Sequence, residues 1–352
     1  MKKQILQILF FLLITSGSLT AQIGGNHVFE FVNLPSSARI SALGGNLITV
    51  RDDDVALAFH NPAAANAAMH GALSFSHDFI VGGISHGYFG YGHHVKSWET
   101  TLHGGIQYMD YGTFDRTDVT GATDGTFEAA EYAITLGAGR QLYQNLSIGA
   151  NLKFVTSGLE SYNSTGILGD LSGTYQDSSG RTTLTLLAKN IGGQLSAYHP
   201  EGSLEAVPFE LQVGFSKRLK HLPFRYSVIY HHLDRWNILY DDPNAEEQVF
   251  IIDPTESTGE EGFAWADNLA RHFIVNGEFL FGKKEIIRLR VGYNHLRQRE
   301  MRIRNFRSFA GFSFGFGLKI KQFRLDFGRS NWHMAGGVNH LTLSTNLKEF
   351  KR

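Results

Sequence analysis

The 352-residue chain contains no cysteine. That removes disulfides, thiolate metal sites and a cysteine nucleophile together. It leaves the redox compartment open, because an exported protein can also do without them. Charge of one sign is lacking as well: 32 Lys plus Arg stand against 33 Asp plus Glu, so no nucleic-acid partner is suggested. Past the first 21 residues no run approaches the roughly 18 apolar residues of a spanning helix. Catalytic signatures are missing too. There is no G-x-S-x-G elbow, no H-E-x-x-H, and no G-K-S/T completing a phosphate loop after Gly44-Gly45. Among 16 histidines, His93-His94 and His231-His232 are adjacent pairs. Neighbours on a strand point to opposite faces, which suits chelation badly. The expectation is a non-enzymatic protein with no catalytic residue, no cofactor and no metal.

What is present is glycine (39), phenylalanine (27) and tyrosine (13), a mixture that suits strands and barrel girdles better than helix bundles. Met1-Lys2-Lys3, the apolar stretch Ile5 to Ile14 and the small residues of Ser16 to Gln22 read as a signal peptide over 1–21. Cleavage falls after Ala21, although Leu19 fits the −3 position poorly. An exported chain without a spanning helix is secreted, periplasmic or an outer-membrane barrel.

From about Ala72 the hydrophobic period is two. Leu146, Ile148, Ala150, Leu152 and Phe154 alternate with Ser147, Gly149, Asn151 and Lys153; Phe312, Phe314 and Phe316 alternate with Ser313, Gly315 and Gly317. About fourteen strands are predicted, many near ten residues, the length that crosses a membrane at a tilt. Short connections such as Lys321-Gln322 alternate with longer ones, Tyr111 to Glu128, Gly192 to Val207, Leu233 to Ala270 and Leu296 to Asn305. Short turns at one end and long loops at the other mark an outer-membrane barrel. The predicted class is therefore all-β: a transmembrane antiparallel β-barrel over 71–352 with an N-terminal luminal plug over 22–70. An even strand count places both termini on the short-turn, periplasmic side. The last strand ends near Phe350, like the assembly signal of outer-membrane proteins, although Lys351-Arg352 follow it.

The plug segment carries Ala38-Arg39, Ala42-Leu43-Gly44-Gly45, Asp52-Asp53-Asp54 and Phe59-His60-Asn61-Pro62-Ala63. These resemble the N-terminal hatch of the long-chain fatty-acid transporter superfamily, whose barrels have fourteen strands. With Gly169-Asp170-Leu171, Ala188 to Gly192, Leu289 to Asn294 and Gly311 to Gly317, the chain is similar to the PorV/PorQ family of the type IX secretion system of Bacteroidetes, more to its PorQ members. The resemblance covers nearly the whole mature chain through short motifs. It implies a membrane anchor for a cell-surface attachment complex. That complex holds a PorZ-like surface protein, PorV and a sortase-like protease, and its chemistry belongs to the protease.

Four sets of residues follow as candidates. In the plug, Gly44, Gly45, Asn61 and Pro62 shape turns, with Gly supplying backbone freedom and Asn-Pro starting a turn, and Arg39 belongs to the same motif. Asp52, Asp53 and Asp54 read either as solvated loop charge or as pairing with a basic luminal face made of Lys153, Arg288, Arg290, Lys319 and Arg324, since enclosed carboxylates need partners. The loop Leu233 to Ala270, with Trp236, Tyr240, Phe250, Phe263 and Trp265 among several acids, is the expected partner-docking element. Arg297, Arg299, Arg302, Arg304 and Arg307 crowd another loop and suit outer-membrane lipid phosphates, an acidic partner or a simply solvated face. The rival reading is a transporter of hydrophobic small molecules with the plug as its gate. A third is a secreted soluble β-protein such as an adhesin.

Overall fold

A computed structural model gives the fold for residues 27–80, 82–199, 201–239, 264–282, 285–301, 309–333 and 336–350. Fourteen antiparallel strands close on themselves. They are β1 Ala72–Phe79, β2 Ser85–Val95, β3 Thr100–Thr117, β4 Thr123–Tyr143, β5 Leu146–Leu159, β6 Tyr162–Gln176, β7 Thr182–Ser196, β8 Glu210–Arg218, β9 Phe224–Tyr230, β10 Phe273–Phe281, β11 Ile287–Asn294, β12 Phe312–Ile320, β13 Phe323–His333 and β14 Gly336–Asn346. Each pairs with its sequence neighbour, and β1 pairs with β14 from Ala72↔Asn346 to Phe79↔Asn339. No edge is left to template aggregation.

The alternation decides which face is which. Ile134, Leu136, Leu152, Phe154, Leu171, Leu186, Phe314, Phe316 and Leu343 are exposed on the outside. Their chain neighbours Thr135, Asn151, Lys153, Asp170, Thr185, Ser313 and Thr342 are buried inside. An exterior of large apolar side chains around a polar interior is the inverse of a soluble sandwich and matches a bilayer-spanning wall. No described helix is long and apolar enough to cross a membrane; this barrel crosses with strands.

One predicted loop is not a loop. Residues 111–128 extend the β3–β4 hairpin beyond the barrel rim, turning only at 118–122. The register slips between Asp110 and Thr113. Beyond the slip Phe114 stacks on Phe127 with ring centroids 5.3 Å apart. Cross-strand aromatic pairing of this kind holds a ribbon together without a barrel neighbour.

The N-terminal segment occupies the lumen. Its buried residues include Ile40, Leu43, Leu47, Val55, Leu57 and Met69. Short helices at Ala38–Ala42 and Ala56–His60 alternate with turns, and Ser37 caps the first by accepting from the Ile40 amide. Wall and plug are joined across the chain: the Ala38 amide donates to Thr342 Oγ1 at 2.8 Å, and Ala63 donates to Ser172 Oγ at 2.9 Å.

Within the described residues this segment has a direction. Ala72 and Asn346, the ends of the wall, do share one mouth. His27, however, bridges Ala206 in the β7–β8 connection at the opposite, long-loop mouth. Phe29, Phe31 and Val32 pack there against Met109, Ile84, Tyr198 and Val207. The plug is thus threaded through the barrel from one mouth to the other before it joins β1. An even strand count fixes the ends of the wall and says nothing about a segment that passes inside it.

Candidate functional site

Arg39 is the centre of the plug–wall interface. It is 1% exposed, and its guanidinium reaches Asp52 at 2.8 Å, Asp54 at 3.3 Å and Glu278 of β10 at 3.0 Å. Glu278 is also bound by Arg290 at 2.9 Å and by Arg225, and Arg290 continues to Asp326 at 2.6 Å. Three guanidiniums and four carboxylates form one continuous network, buried at Arg39, Arg290, Glu278 and Asp326 and partly exposed at Asp52 and Arg225. Burial works against the Arg39 charge, but Asp52, Glu278 and Asp54 outweigh it and hold its pKa well above the ordinary value. Burial also pushes the Asp52 carboxyl up, while Arg39 and then Arg288 pull it further down, so it ends well below the usual carboxylate range. Asp54 ends raised: burial and its neighbour Asp52 exceed the pull of Arg39. Within the triplet, Asp52 therefore carries the firm charge and Asp54 is the readier proton acceptor.

This geometry revises the expected pairing. Asp52 and Asp54 are held by Arg39 of the plug itself, and of the five basic wall residues only Arg324 bonds the triplet, to Asp53 at 3.3 Å. Lys153 instead bonds Asp170 at 2.9 Å and Asn190 at 3.0 Å, Arg288 bonds Glu285, and Lys319 bonds Glu349. Glu278, Asp326 and Arg225 were not singled out from the sequence. Their signal is a lone charge at an inward position, such as Glu278 between the outward Phe279 and the tight Gly277.

A second set of contacts was equally hidden. Inward-facing glycines on the wall leave room for the plug backbone. A Cβ on Gly149 would stand 2.2 Å from Pro62, one on Gly292 2.2 Å from the Gly44 nitrogen, one on Gly328 2.4 Å from the Ala38 carbonyl and one on Gly214 2.5 Å from Thr49. The plug is seated in notches that side chains would fill. Gly44 itself needs its left-handed φ of 86° to make the turn against β11. Asn61 fixes the next turn: it accepts from the Ala63 amide and donates to the Ile48 carbonyl at 2.6 Å, with Pro62 following at the start of a 3-10 turn.

At the long-loop mouth a polar cavity of about 210 Å³ lies between plug and wall, lined by His27, Glu30, Lys189, Glu210, His231 and His232 among others. Of the expected docking loop, Trp236 and Trp265 are described and exposed, 54% and 63%. Tyr240, Phe250 and Phe263 lie outside the described residues, as do Arg302, Arg304 and Arg307. Asp267 anchors the end of that loop, accepting from Arg271, from Arg299 and from His295. Arg297 packs over Trp332 at 5.0 Å and turns towards the plug beside Gly45.

No family model matches the sequence, and no curated protein matches it. Solved structures do match. The CymD monoaromatic hydrocarbon channel aligns over 90% of this chain and 98% of its own, with 13% identity and a TM-score of 0.53. The TodX monoaromatic hydrocarbon channel in its deltaS2 mutant form aligns over 89% and 97%, with 12% identity and a TM-score of 0.50. This chain has the fold of those channels. The Pseudomonas putida toluene transporter TodX is similar over 88% of this chain and 96% of its own, at 12% identity and a TM-score of 0.48. At such identities the likeness is one of fold.

Proposed function

We propose that this barrel is a non-enzymatic outer-membrane anchor with a fixed luminal plug, serving the surface attachment of exported proteins in a type IX secretion system. The observation that carries the closed lumen is the Arg39 network. Swinging the plug out would strip a buried guanidinium of Asp52, Asp54 and Glu278 contacts, and breaking a buried pair leaves an uncompensated charge at about 3–5 kcal/mol. A segment threaded from mouth to mouth and seated on glycine notches is also a poor hinge. With the lumen filled, recognition falls to the long-loop end. There Trp236 and Trp265 are the residue type that anchors interfaces, and the PorV/PorQ resemblance, carried by the plug motifs together with the short wall motifs, supplies the partner class, a PorZ-like surface protein.

The test is to replace residues 240–263 by a short Gly-Ser linker and to change Trp236 and Trp265 to Ala, leaving Asp267 in place. Surface loops tolerate such changes. The barrel should insert normally and lose its surface partner from intact complexes. Full retention of the partner would refute the docking role of this loop.

A second reading, a transporter of hydrophobic small molecules, is favoured by one kind of observation: the fold shared with the hydrocarbon channels. The structural neighbours speak for it more than for secretion. Copurification of an apolar ligand that is lost when the lumen is cross-linked shut would establish this reading over the first.

A further inference from the structure

Adjacent histidines on a strand should diverge, yet His231 and His232 converge. Strand β9 ends at Tyr230, and His232 adopts a left-handed φ of 53°. That turn breaks the alternation and brings the two rings to the same side, with centroids 4.8 Å apart. Histidine tolerates this conformation better than most residues, and such strain persists only where the surroundings enforce it. They do so here. The His231 amide donates to the His272 carbonyl at 2.9 Å, and the His272 ring bonds the His231 carbonyl at 2.8 Å. The Arg235 amide closes the turn on the His232 carbonyl.

Glu210, the first residue of β8, faces both rings. Its Oε1 lies 3.7 Å from His231 Nδ1 and 3.9 Å from His232 Nδ1, and it accepts from the His232 amide at 3.3 Å. One donor atom from each of the three residues lies within 4.8 Å of the others. His231 Nε2 and His232 Nδ1 are buried without a hydrogen-bond partner. All three side chains line the polar cavity at the long-loop mouth.

We infer that Glu210, His231 and His232 form a binding site for a divalent transition-metal ion of the zinc class. Two imidazoles and a carboxylate are a donor set such ions prefer, with a fourth position left to water or a ligand. Zinc bonds of about 2.0–2.1 Å place tetrahedral donors roughly 3.3–3.5 Å apart, so small rotations of the rings complete the geometry. The ion would tie the end of β9 to the start of β8 where both connect to long loops. Lys189 is the cross-strand partner of Glu210 and lines the same cavity. It competes with a bound cation, whereas it would support a bound anion, so its removal separates the two.

The test uses the purified full-length barrel in detergent, stripped with a chelator and titrated calorimetrically with zinc chloride. One saturable equivalent is expected. Glu210→Gln and the double variant His231→Ala/His232→Ala should each weaken binding at least about tenfold, and Lys189→Met should tighten it. Histidine modification of the wild-type protein, mapped by mass spectrometry, needs no variant: zinc should protect the half-buried His232 but not the exposed His221. Unsaturable binding, unchanged affinity in the folded variants, weaker binding in Lys189→Met, or no protection of His232 would overturn the site.

Discussion

Arg39 of the plug and Glu278 of β10 meet across the lumen, Nε to Oε1 at 3.0 Å, with both side chains essentially buried. This one contact joins an acidic cluster in the plug to an arginine ladder in the wall. Neither group tolerates burial alone. Arg39→Met should therefore release the plug, losing about 3–5 kcal/mol of its seating. Limited proteolysis of the folded barrel checks this: residues 27–71 should become cleavable while the strands remain resistant.

The two end carboxylates of the triplet should respond oppositely. The Asp52 pKa is depressed, so its contribution is present above the unfolded carboxylate value near about 3.9 and is lost as pH falls through its folded value. The Asp54 pKa is raised, so its contribution is full below that unfolded value and lost as pH rises through the folded one. Asp52→Asn should lower the melting temperature at neutral pH. Asp54→Asn should be neutral or raise it, with the gain vanishing in acid. Equal losses in both variants at neutral pH would contradict the assigned charges.

The glycine notches give a test independent of charge. Gly149→Ala and Gly292→Ala should each destabilise by about 1–3 kcal/mol through overpacking against Pro62 and Gly44. Gly173→Ala, which meets nothing within 4 Å, should be close to neutral. Heat-modifiable gel migration across a temperature series reads all three.

On the outer face, Leu152 is 59% exposed in the middle of β5. Leu152→Arg should cost about 2–4 kcal/mol in a bilayer. Leu152→Cys should resist a membrane-impermeant thiol reagent in proteoliposomes. Rapid labelling there would place the apolar belt in water.

The wall was legible because one rule, period-two alternation, is repeated fourteen times and the bilayer enforces it. Phe312 to Phe316 against Ser313 to Gly317 is enough to assign a strand with two unlike faces, and which of them meets lipid comes from strand number and the alternation of short and long connections. The hairpin over 111–128 was missed because polar threonines and acids alternate there without an apolar face. The plug was visible as a segment too polar to span and too rich in small residues to fold alone. Its partners were not, since which inward charge meets Arg39 depends on three-dimensional register. Glu278, Asp326 and the seating glycines are separated from the plug by more than a hundred residues or by no distinguishing chemistry. The convergence of His231 and His232 hangs on a single backbone angle.

The fixed plug is tested most directly by locking it. Ser41 of the plug and Ser330 of β13 are hydrogen-bonded, Oγ to Oγ at 2.6 Å, and the chain has no native cysteine. In Ser41→Cys/Ser330→Cys a disulfide would join plug and wall without other thiols to confuse it. If the plug is a permanent stopper, the oxidised protein should retain its surface partner and support attachment at the same level as the reduced one. Loss of function on oxidation, restored by reductant, would show that the plug must move and would contradict the account.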